Sequence, residues 1–329
     1  MRTAFPVKIL GTGSYAPSKI LTNDDLSRMV DTNDEWITSR TGIKQRHIAA
    51  PEMASSDLAV HASKAALDSA GVTPEEIDMI VFATSSPDRV VPASAVYLQK
   101  KLGCVNAGAV DNLAACAGFV YAFSNAWALV ANGQSKRCLV LGSEVLSKVT
   151  NYEDRATCII FGDASGAMVL GPSEDESDIL YAKMGADGRL DDLIIAPAGG
   201  TAMMPTPDRW ESRDIYIRMK GREVYKFAVP KFVEIIQEAL HACNLTLNDL
   251  KLVIPHQMNA RMIEAVRERM GIPQEKVFVN IHNYGNTSSA SIPVAFDEAV
   301  REGRLNRGDL VLLTAMGAGL AWGTIILRW

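Results

Sequence analysis

The 329-residue sequence has few cysteines and aromatic residues, no excess of basic residues and no long apolar run. Its five cysteines are odd in number and include no Cys-x-x-Cys pair, which argues against a disulfide framework and against a zinc site. Lys and Arg total 33 and Asp and Glu total 38, so the net charge of −5 argues against a nucleic-acid-binding protein that depends on overall positive charge.

Membrane and secretion signals are missing from the pattern as well. No apolar run approaches the roughly 20 residues that a membrane-spanning helix needs, and Met1–Leu10 lacks the apolar core of a secretory signal. Hydrophobic residues make up 48% and charged residues 22%, a balance that excludes intrinsic disorder and a coiled coil. We therefore expect a soluble, cytoplasmic protein with no bound metal and with neither a membrane nor a nucleic acid as partner.

Several short apolar runs have the length of buried β-strands, and segments with helical spacing lie between them. This alternation predicts an α/β fold in which helices cover the faces of sheets. The predicted strands are Val7–Leu10, Met79–Ala83, Cys138–Leu141, Gly166–Leu170, Leu252–Ile254, Val311–Leu313 and Thr324–Leu327.

The two ends of the chain repeat one structural plan. The segment ALDSAGVTPEEIDMIVFA, which starts at Ala66, resembles ALHACNLTLNDLKLVIPH, which starts at Ala239, at an offset of 239 − 66 = 173 residues. In both copies a helix ends, a turn that begins with Thr follows, and a buried strand comes next. Further matches recur in the same order, so we predict two similar halves, residues 1–171 and 223–329.

Residues 172–222, between the two halves, have a different composition. They begin with the acidic run Ser173–Asp178 and continue with many Gly and Pro residues. A turn-rich insertion of this length is more typical of a lid or of the wall of a substrate site than of a structureless linker. We predict that role for residues 172–222.

Three segments carry candidate reactive residues. The almost wholly apolar pattern from Ala117 to Asn132 predicts a helix buried in the middle of the protein, with Cys116 at its first turn. The N-terminus of a helix stabilises a thiolate, so Cys116 is the candidate nucleophile, and the other four cysteines are expected to fill the core. His256 follows a predicted strand, and Asn286 leads into a predicted helix that begins near Ser289.

The repeat places Cys116, His256 and Asn286 at the same end of their elements, where open α/β sheets bind ligands. In a cysteine hydrolase, the His would deprotonate the Cys and the Asn would orient the His. In another arrangement, the His and the Asn would both donate hydrogen bonds to one developing oxyanion. The spacing of the three residues is compatible with both. Glycines in Ala315–Gly323 would let a backbone N–H approach a reacting carbonyl closely.

Motifs along the whole chain resemble those of the β-ketoacyl-[acyl carrier protein] synthase III family, the initiating condensing enzymes of bacterial fatty-acid synthesis. They include DEWITSRTGIKQRHIA, EDRATCIIFGDASGA, MKGREVYKFAV, IPHQMNARM, YGNTSSASIP and GAGLAWG, in this order. The resemblance implies the thiolase fold, with two βαβαβαββ-type halves in a five-layer α-β-α-β-α arrangement, and a homodimer. The implied fold agrees with the repeat found from the residues alone.

The resemblance also implies a role for each candidate residue. Cys116 would take an acyl group from acyl-CoA as a thioester, with the backbone N–H groups of Cys116 and Ala318 forming the oxyanion hole. His256 and Asn286 would bind the thioester oxygen of malonyl-acyl carrier protein while CO2 leaves, and the enolate would attack the acyl-Cys116 carbonyl. The product would be a β-ketoacyl-acyl carrier protein, and no cofactor would take part. Elongating condensing enzymes use two histidines, whereas this chain has Asn286 in the place of the second. Degradative thiolases carry a second catalytic cysteine in the C-terminal glycine turn, and Met316–Gly323 has no cysteine.

Further family contacts correspond to residues of this chain. Those to CoA fall on Trp36, Arg40, Arg155 and Asn259, with Trp36 and Arg155 expected to sandwich adenine and Arg40 to face phosphate. Those to the acidic carrier protein are expected at Gln257, Arg261, Arg267 and Arg269, in and after the IPHQMN motif.

Val91 stands where many family members have an aromatic residue that reaches into the acyl pocket of the partner subunit. A smaller side chain there predicts a longer or wider acyl tunnel, and hence tolerance of primers longer or more branched than acetyl. Three alternatives stay open at this point. They are a condensing enzyme or acyltransferase of specialised metabolism, an acyl-CoA thioester hydrolase, and a non-catalytic scaffold that binds carrier protein.

Overall fold

The computed structural model describes residues 5–174 and 178–329, so parts of Met1–Leu10 and of the acidic run Ser173–Asp178 lie outside the described residues. The strands are β1 Val7–Tyr15, β2 Lys19–Thr22, β3 Gln45–Ile48, β4 Met79–Ala83, β5 Gly108–Asn112, β6 Cys138–Val145, β7 Asp163–Pro172, β8 Ile179–Ala186, β9 Ile194–Ile195, β10 Arg218–Met219, β11 Leu252–Pro255, β12 Leu310–Gly317 and β13 Ala321–Arg328. The helices are α1 Asn23–Leu26, α2 Asp34–Thr41, α3 Ser55–Ala70, α4 Ser94–Leu102, α5 Gly118–Ala131, α6 Arg155–Cys158, α7 Pro207–Glu211, α8 Gly221–Ala242, α9 Ala260–Met270, α10 Ile281–Tyr284 and α11 Ser291–Arg301. All seven predicted strands are present, and most extend beyond their predicted ends.

The two main sheets have the same strand plan. The first has the order β1-β7-β6-β4-β5, and the second has the order β8-β13-β12-β11. In each, the central pair is parallel (β4 with β6, β11 with β12) and the next strand is antiparallel to it (β7, β13). The counterpart of β5 in the second sheet is a single parallel bridge between Val253 and Val277. The predicted duplication is therefore present in the strand topology.

Helices and sheets alternate in five layers. Helix α5 lies between the two sheets and contacts strands of both, and α11 packs beside it against β1, β7 and β11. Helices α3 and α4 cover the outer face of the first sheet, while α8 and α9 cover that of the second. The central core contains Phe119, Phe123, Ile292 and Phe296, each with at most 1% of its surface exposed. The predicted thiolase-type α-β-α-β-α arrangement is confirmed.

Strand β8 corrects the predicted start of the second half. Ile179–Ala186 pairs antiparallel with β13, so it is the outer strand of the second sheet, as β1 is of the first. The prediction that residues 172–222 lie outside both halves is therefore wrong for this strand. The sequence of β8, ILYAKMGA, contains no continuous apolar run of the kind that predicts a buried strand. This agrees with the structure, in which only part of β8 is buried.

The rest of the predicted insertion, residues 187–220, contains the short ribbon of β9 and β10 and the helix α7. Ile194 of β9 and Met219 of β10 line the cavity described below, so this segment does supply wall residues. Within the residues that the structure describes, no helix combines the length and the apolar character needed to cross a membrane.

Candidate active site

Cys116 lies in a single 3-10 turn, Ala115–Ala117, that leads directly into α5. Ala115 holds the left-handed backbone conformation, with φ of 45°, which is unusual for a residue other than glycine. Burial raises the pKa of the Cys116 thiol to about 12, with Glu144 adding to the rise and a hydrogen bond from Ser288 opposing it. The resting residue is therefore the thiol, although its position at a helix N-terminus favours the thiolate.

His256 follows β11, and its backbone N–H donates to the carbonyl of Thr314 on β12 at 2.7 Å. The side chain is 1% exposed, and its Nδ1 lies 2.7 Å from Oγ of Ser291 at the start of α11. Burial lowers the pKa of His256 to about 3, so the imidazole is neutral near pH 7. A neutral imidazole in this place can donate one hydrogen bond without carrying a charge.

Asn286 is held on both sides by the segment that precedes β7. Its backbone N–H donates to the carbonyl of Ile160 at 2.9 Å, and its own carbonyl accepts from the N–H of Gly162 at 3.1 Å. Its side-chain Oδ1 accepts from the N–H of Ser288 at 2.8 Å. This contact fixes the amide orientation, with the oxygen turned to the Ser288 backbone and the Nδ2 donor on the other side.

One cavity of about 850 Å³ brings Cys116, His256 and Asn286 together. Its apolar wall comes from both halves and from the ribbon of residues 187–220. The wall includes Ile160, Ile194, Met219, Ala228, Phe232, Met258, Met316 and Leu320. The three residues that the sequence singled out thus share one site at the ends of the duplicated elements.

The hydrogen bonds at this site differ from those of a Cys-His-Asn hydrolase. In such a triad the side-chain oxygen of the Asn would accept a hydrogen bond from the His ring and so orient the ring. Here Nδ1 of His256 lies against Ser291, and Oδ1 of Asn286 is occupied by the N–H of Ser288. The two side chains are therefore held separately, an arrangement that suits two independent donors to one oxygen atom.

The end of β12 and the Gly-rich turn that follows it lie against the 3-10 turn that contains Cys116. A Cβ atom on Gly317 would lie 2.6 Å from the backbone nitrogen of Cys116, so only glycine fits there. The cavity wall at this point is formed by Met316, Gly317 and Leu320, which flank the predicted oxyanion-hole residue Ala318. The structure thus places the Ala318 turn beside the N-terminus of α5.

The predicted CoA contacts fall at the cavity mouth and beside it. The Arg155 guanidinium carbon lies 4.1 Å from the centre of the Trp36 ring, and that of Arg40 lies 5.8 Å from it. Asn259 accepts from the N–H of Arg261 and so caps α9, and its Nδ2 donates to the carbonyl of Arg40 at 3.0 Å. The four residues are therefore close neighbours, and Arg155 stacks directly on the ring, where adenine was expected between the two.

The four predicted carrier-protein contacts do not share one surface. Gln257 is 1% exposed, donates to the carbonyls of Pro255 and Phe278, and accepts from the N–H groups of Asn280 and Ile281. The prediction that Gln257 contacts a partner is therefore wrong, because both ends of its amide are used inside the protein. Its position directly after His256 in the IPHQMN motif is compatible with contact to a partner and with hydrogen bonds inside the protein, so the motif alone does not distinguish them.

Of the three arginines predicted to meet the carrier protein, Arg261 and Arg269 are exposed, and Arg261 also lines the cavity. Arg267 is mostly covered, and its guanidinium is held by the Glu264 carboxylate at 2.5 and 2.7 Å. The charge of Arg267 is therefore largely neutralised within the helix.

Two basic residues at the cavity mouth were missed in the sequence. Arg222 and Lys226 both line the cavity, are exposed, and lie four residues apart near the start of α8, on one face of that helix. They belong to the motif MKGREVYKFAV, whose basic residues at this spacing were the available signal. With Arg40 and Arg261 they give four cations at the mouth, which we call the basic mouth. Glu264 and Glu268 also line the cavity, and both lie beside the Arg267 guanidinium.

Val91 lies outside this cavity, in the loop before α4, and is 79% exposed. Other apolar side chains are exposed near it, on the same loop and on the edge strand β5 and its continuation. They include Val90 at 86%, Val110 at 43% and Leu113 at 77%. Val91 is therefore not among the residues that line the cavity with Cys116.

Comparisons with known proteins find relatives along nearly the whole chain. The model of the family described as "3-Oxoacyl-[acyl-carrier-protein (ACP)] synthase III" matches residues 110–188, and the model of its C-terminal part matches residues 240–329. The β-ketoacyl-[acyl-carrier-protein] synthase III of Caldanaerobacter subterraneus subsp. tengcongensis is 48% identical over 321 residues, which cover 98% of this chain and 97% of that protein. The protein of the same name from Aquifex aeolicus is 48% identical and covers 98% and 99%.

Solved structures show the same similarity. The crystal structure of 3-oxoacyl-[acyl-carrier-protein] synthase III from Aquifex aeolicus has a TM-score of 0.91 at 47% identity, covering 98% of this chain and all of that one. The priming β-ketosynthase of the R1128 polyketide biosynthetic pathway has a TM-score of 0.93 at 35% identity, covering 100% and 97%.

The duplicated fold and its Cys, His and Asn site define a thiolase-fold condensing enzyme, which is an acyltransferase. The identity to its relatives extends over nearly the whole chain. The chain belongs to the β-ketoacyl-[acyl carrier protein] synthase III family, as its motifs predicted.

Proposed function

We propose that this enzyme condenses an acyl-CoA primer with malonyl-acyl carrier protein, giving β-ketoacyl-acyl carrier protein, CoA and CO2, as the initiating step of fatty-acid synthesis in the cytoplasm. The observation that carries the proposal is the meeting of Cys116, His256 and Asn286 on one apolar cavity. Each step balances with thioesters and protons alone, so the proposal includes no metal and no cofactor.

The first step transfers the acyl group to the enzyme. The Cys116 sulfur attacks the thioester carbonyl of acyl-CoA, the bond from that carbonyl to the CoA sulfur breaks, and the proton lost by Cys116 leaves on the CoA thiol. The negative charge that develops on the carbonyl oxygen is stabilised by the backbone N–H groups of Cys116 and Ala318. The close approach of Gly317 to the Cys116 nitrogen supports this arrangement, since it brings the Ala318 turn to the same place.

The second step uses the two side-chain donors. The malonyl thioester oxygen accepts from Nε2–H of His256 and from Nδ2–H of Asn286, while the bond to the carboxylate breaks and CO2 leaves. The electron pair forms an enolate, whose carbon attacks the acyl-Cys116 carbonyl. The bond from that carbonyl to the Cys116 sulfur breaks, and the released thiolate takes up a proton from water. The neutral state of His256 supports this role, because a neutral imidazole has one ring N–H; in the proposed tautomer this proton is on Nε2 and Nδ1 accepts from the Ser291 hydroxyl.

The basic mouth serves both substrates in this proposal, because CoA and the carrier-protein arm each carry phosphate. Arg40, Arg222, Lys226 and Arg261 surround the entrance, and Trp36 with Arg155 would bind the adenine of CoA once the base separates the pair. An acidic carrier protein would be attracted to the same four cations.

We expect the substitution of both Arg222 and Lys226 by Ala to raise KM for malonyl-acyl carrier protein about 10-fold, with kcat little changed. Surface charges act mainly on encounter, and salt screens them, so the difference should shrink as ionic strength rises. Steady-state kinetics at two salt concentrations measure both effects. Lys64→Ala, on the outer helix α3, is the matched control, and an equal rise in KM for that variant would contradict the prediction.

A homodimer is part of the proposal. The edge strand β5 has no neighbour on its outer side in the described part of the chain, and apolar Val110 and Leu113 are exposed there. A second copy that covered this edge would also cover Val90 and Val91. Val91 would then lie at the acyl pocket of the partner subunit.

We expect Val91→Phe to lower kcat/KM for long and branched acyl-CoA primers relative to acetyl-CoA by about 10-fold, because a ring would shorten the acyl tunnel. A panel of acyl-CoA primers with malonyl-acyl carrier protein measures the change. Val105→Phe, at another exposed valine, is the control. If the unmodified enzyme accepts only acetyl-CoA, the proposed role of Val91 is wrong.

The same panel addresses a second candidate function, priming in specialised metabolism. The 35% identity to a priming β-ketosynthase of a polyketide pathway, over the full length of this chain, favours that candidate. Activity with longer or branched primers that far exceeds activity with acetyl-CoA would support it over the initiation of fatty-acid synthesis.

A further inference from the structure

Glu144, near the end of β6, is a buried carboxylate that the proposed reaction does not use. It is completely buried and accepts hydrogen bonds from the loop after β4. The backbone N–H groups of Ser85 and Ser86 lie 3.0 and 3.1 Å from Oε2, and the hydroxyls of Ser86 and Thr84 lie 2.6 and 3.3 Å from it. Two backbone amides can only donate, so Oε2 acts as an acceptor. Burial raises the pKa of Glu144, and the hydrogen bonds from Ser86 and Ser289 oppose the rise.

The other oxygen of Glu144 reaches across to the second half of the chain. Oε1 lies 2.7 Å from the Ser289 hydroxyl and 3.4 Å from the Ser289 backbone nitrogen. The same hydroxyl lies 3.0 Å from the carbonyl of Ala83. One carboxylate thus ties the 3-10 turn Ser288–Ala290 of the second half to the end of β4 in the first half.

The 3-10 turn Ser288–Ala290 lies beside two residues of the proposed reaction, Asn286 and Cys116. The backbone N–H of Ser288 donates to Oδ1 of Asn286 at 2.8 Å, and the turn Ser288–Ala290 packs against the 3-10 turn Ala115–Ala117 that contains Cys116. Ser288 has φ of 47°, a left-handed conformation that a serine adopts only when its surroundings enforce it. The residue next to it, Ser289, is the one that Glu144 holds.

The duplication gives Glu144 an equivalent position in the second half of the chain, which is occupied by Gly317. β4 pairs with β6 through Met79 and Cys138, and β11 pairs with β12 through Leu252 and Val311. Glu144 is the sixth residue after Cys138, and Gly317 is the sixth residue after Val311.

Gly317 lies against the start of α5 at Cys116, and Glu144 lies against the start of α11 at Ser289. At one place the backbone lies so close to the turn of the nucleophile that only glycine fits. At the equivalent place a carboxylate fills the space and binds the turn.

We propose that Glu144 is a positioning residue for the condensation step. It holds Ser289, and thereby keeps Ser288 in its left-handed conformation, so that the Ser288 N–H turns the Asn286 amide with Nδ2 toward the malonyl thioester. This inference rests on the proposed function, because it assigns the effect of Glu144 to the donor role of Asn286.

The test is a double-mutant cycle between Glu144 and Asn286 in the full-length enzyme. Glu144→Gln keeps the size of the side chain but replaces one acceptor oxygen with an NH2 group. That group cannot accept the hydrogen bonds of the surrounding N–H and O–H donors. We expect it to slow the reaction of pre-acylated enzyme with malonyl-acyl carrier protein on the order of 10- to 100-fold, because the donor is misplaced. In the Asn286→Ala background the same substitution should slow the reaction by less than about threefold, because the residue it positions is gone.

Asp297→Asn is the matched control, since Asp297 is also a buried carboxylate, and its partners, the hydroxyls of Thr12 and Ser14 and the guanidinium of Arg301, lie away from the cavity. It should cost a similar amount in thermal stability without slowing condensation. Equal slowing by Glu144→Gln with and without Asn286, or an equal effect of Asp297→Asn on the rate, would overturn the proposal.

If Glu144→Gln does not fold, Ser289→Ala carries the same cycle, because it removes the hydroxyl bonded to Glu144 without adding a donor. Non-additivity with Asn286→Ala supports the proposal, and additivity overturns it. The unmodified enzyme separates the two levels of inference. An enzyme that forms no β-ketoacyl product refutes the proposed function, whereas a productive enzyme with an additive cycle refutes only the role of Glu144.

Discussion

Cys116→Ala is expected to lower the overall condensation rate by about 10⁴-fold or more, because none of the other described residues that line the cavity has a thiol to carry the acyl group. The unmodified enzyme incubated with acyl-CoA should gain the mass of one acyl group, located on Cys116. The variant should gain none. It keeps His256 and Asn286, so it should still release CO2 from malonyl-acyl carrier protein without forming a β-ketoacyl product.

Intact-mass and peptide mass spectrometry together with a CO2-release assay measure these outcomes. Cys104→Ala is the matched control. Cys104 is fully buried at the end of α4, and burial raises the pKa of its thiol to about 11, so it should neither carry an acyl group nor affect the rate. An adduct on Cys104, or on any cysteine other than Cys116, would contradict the assignment. Release of free acid in place of condensation would indicate a thioester hydrolase.

The three central residues could be predicted from the sequence because each lies next to an element with a strong local signal. The apolar pattern from Ala117 to Asn132 predicts a buried helix, observed as α5, and the run before His256 predicts β11. The repeat then indicates that these ends coincide. None of these steps requires knowledge of a distant contact.

The supporting residues could not be predicted in the same way. Glu144 and Ser289 are 145 residues apart, and their contact exists only because the two halves share the central helix layer. The strand β8 was missed for a different reason, since it is half exposed and lacks a continuous apolar run. Gln257 shows the opposite error, because a motif position adjacent to His256 suggested contact with a partner, while the side chain is used entirely within the fold.

The orientation of Asn286 leads to the second large prediction. Oδ1 accepts from Ser288, so Nδ2 is the group left to bind a thioester oxygen, and Asn286→Ala removes that donor. Loss of one oxyanion donor typically slows a reaction about 10²- to 10³-fold, and we expect this slowing in decarboxylative condensation. Acyl transfer to Cys116 uses backbone donors, so it should keep nearly its full rate.

Separate rate measurements for the acylation of Cys116 and for decarboxylative condensation test this prediction. Single-turnover acylation is followed by the mass of acyl-Cys116, and condensation is followed with pre-acylated enzyme and malonyl-acyl carrier protein. Asn280→Ala is the matched control, since Asn280 is a buried asparagine bonded to Glu298 outside the cavity. Equal loss of both half-reactions in Asn286→Ala would place the Asn in a hydrolase-like triad with His256 and Cys116. Loss of condensation alone fits two donors that act on a single oxygen, because only the enolate-forming step creates the charge they bind.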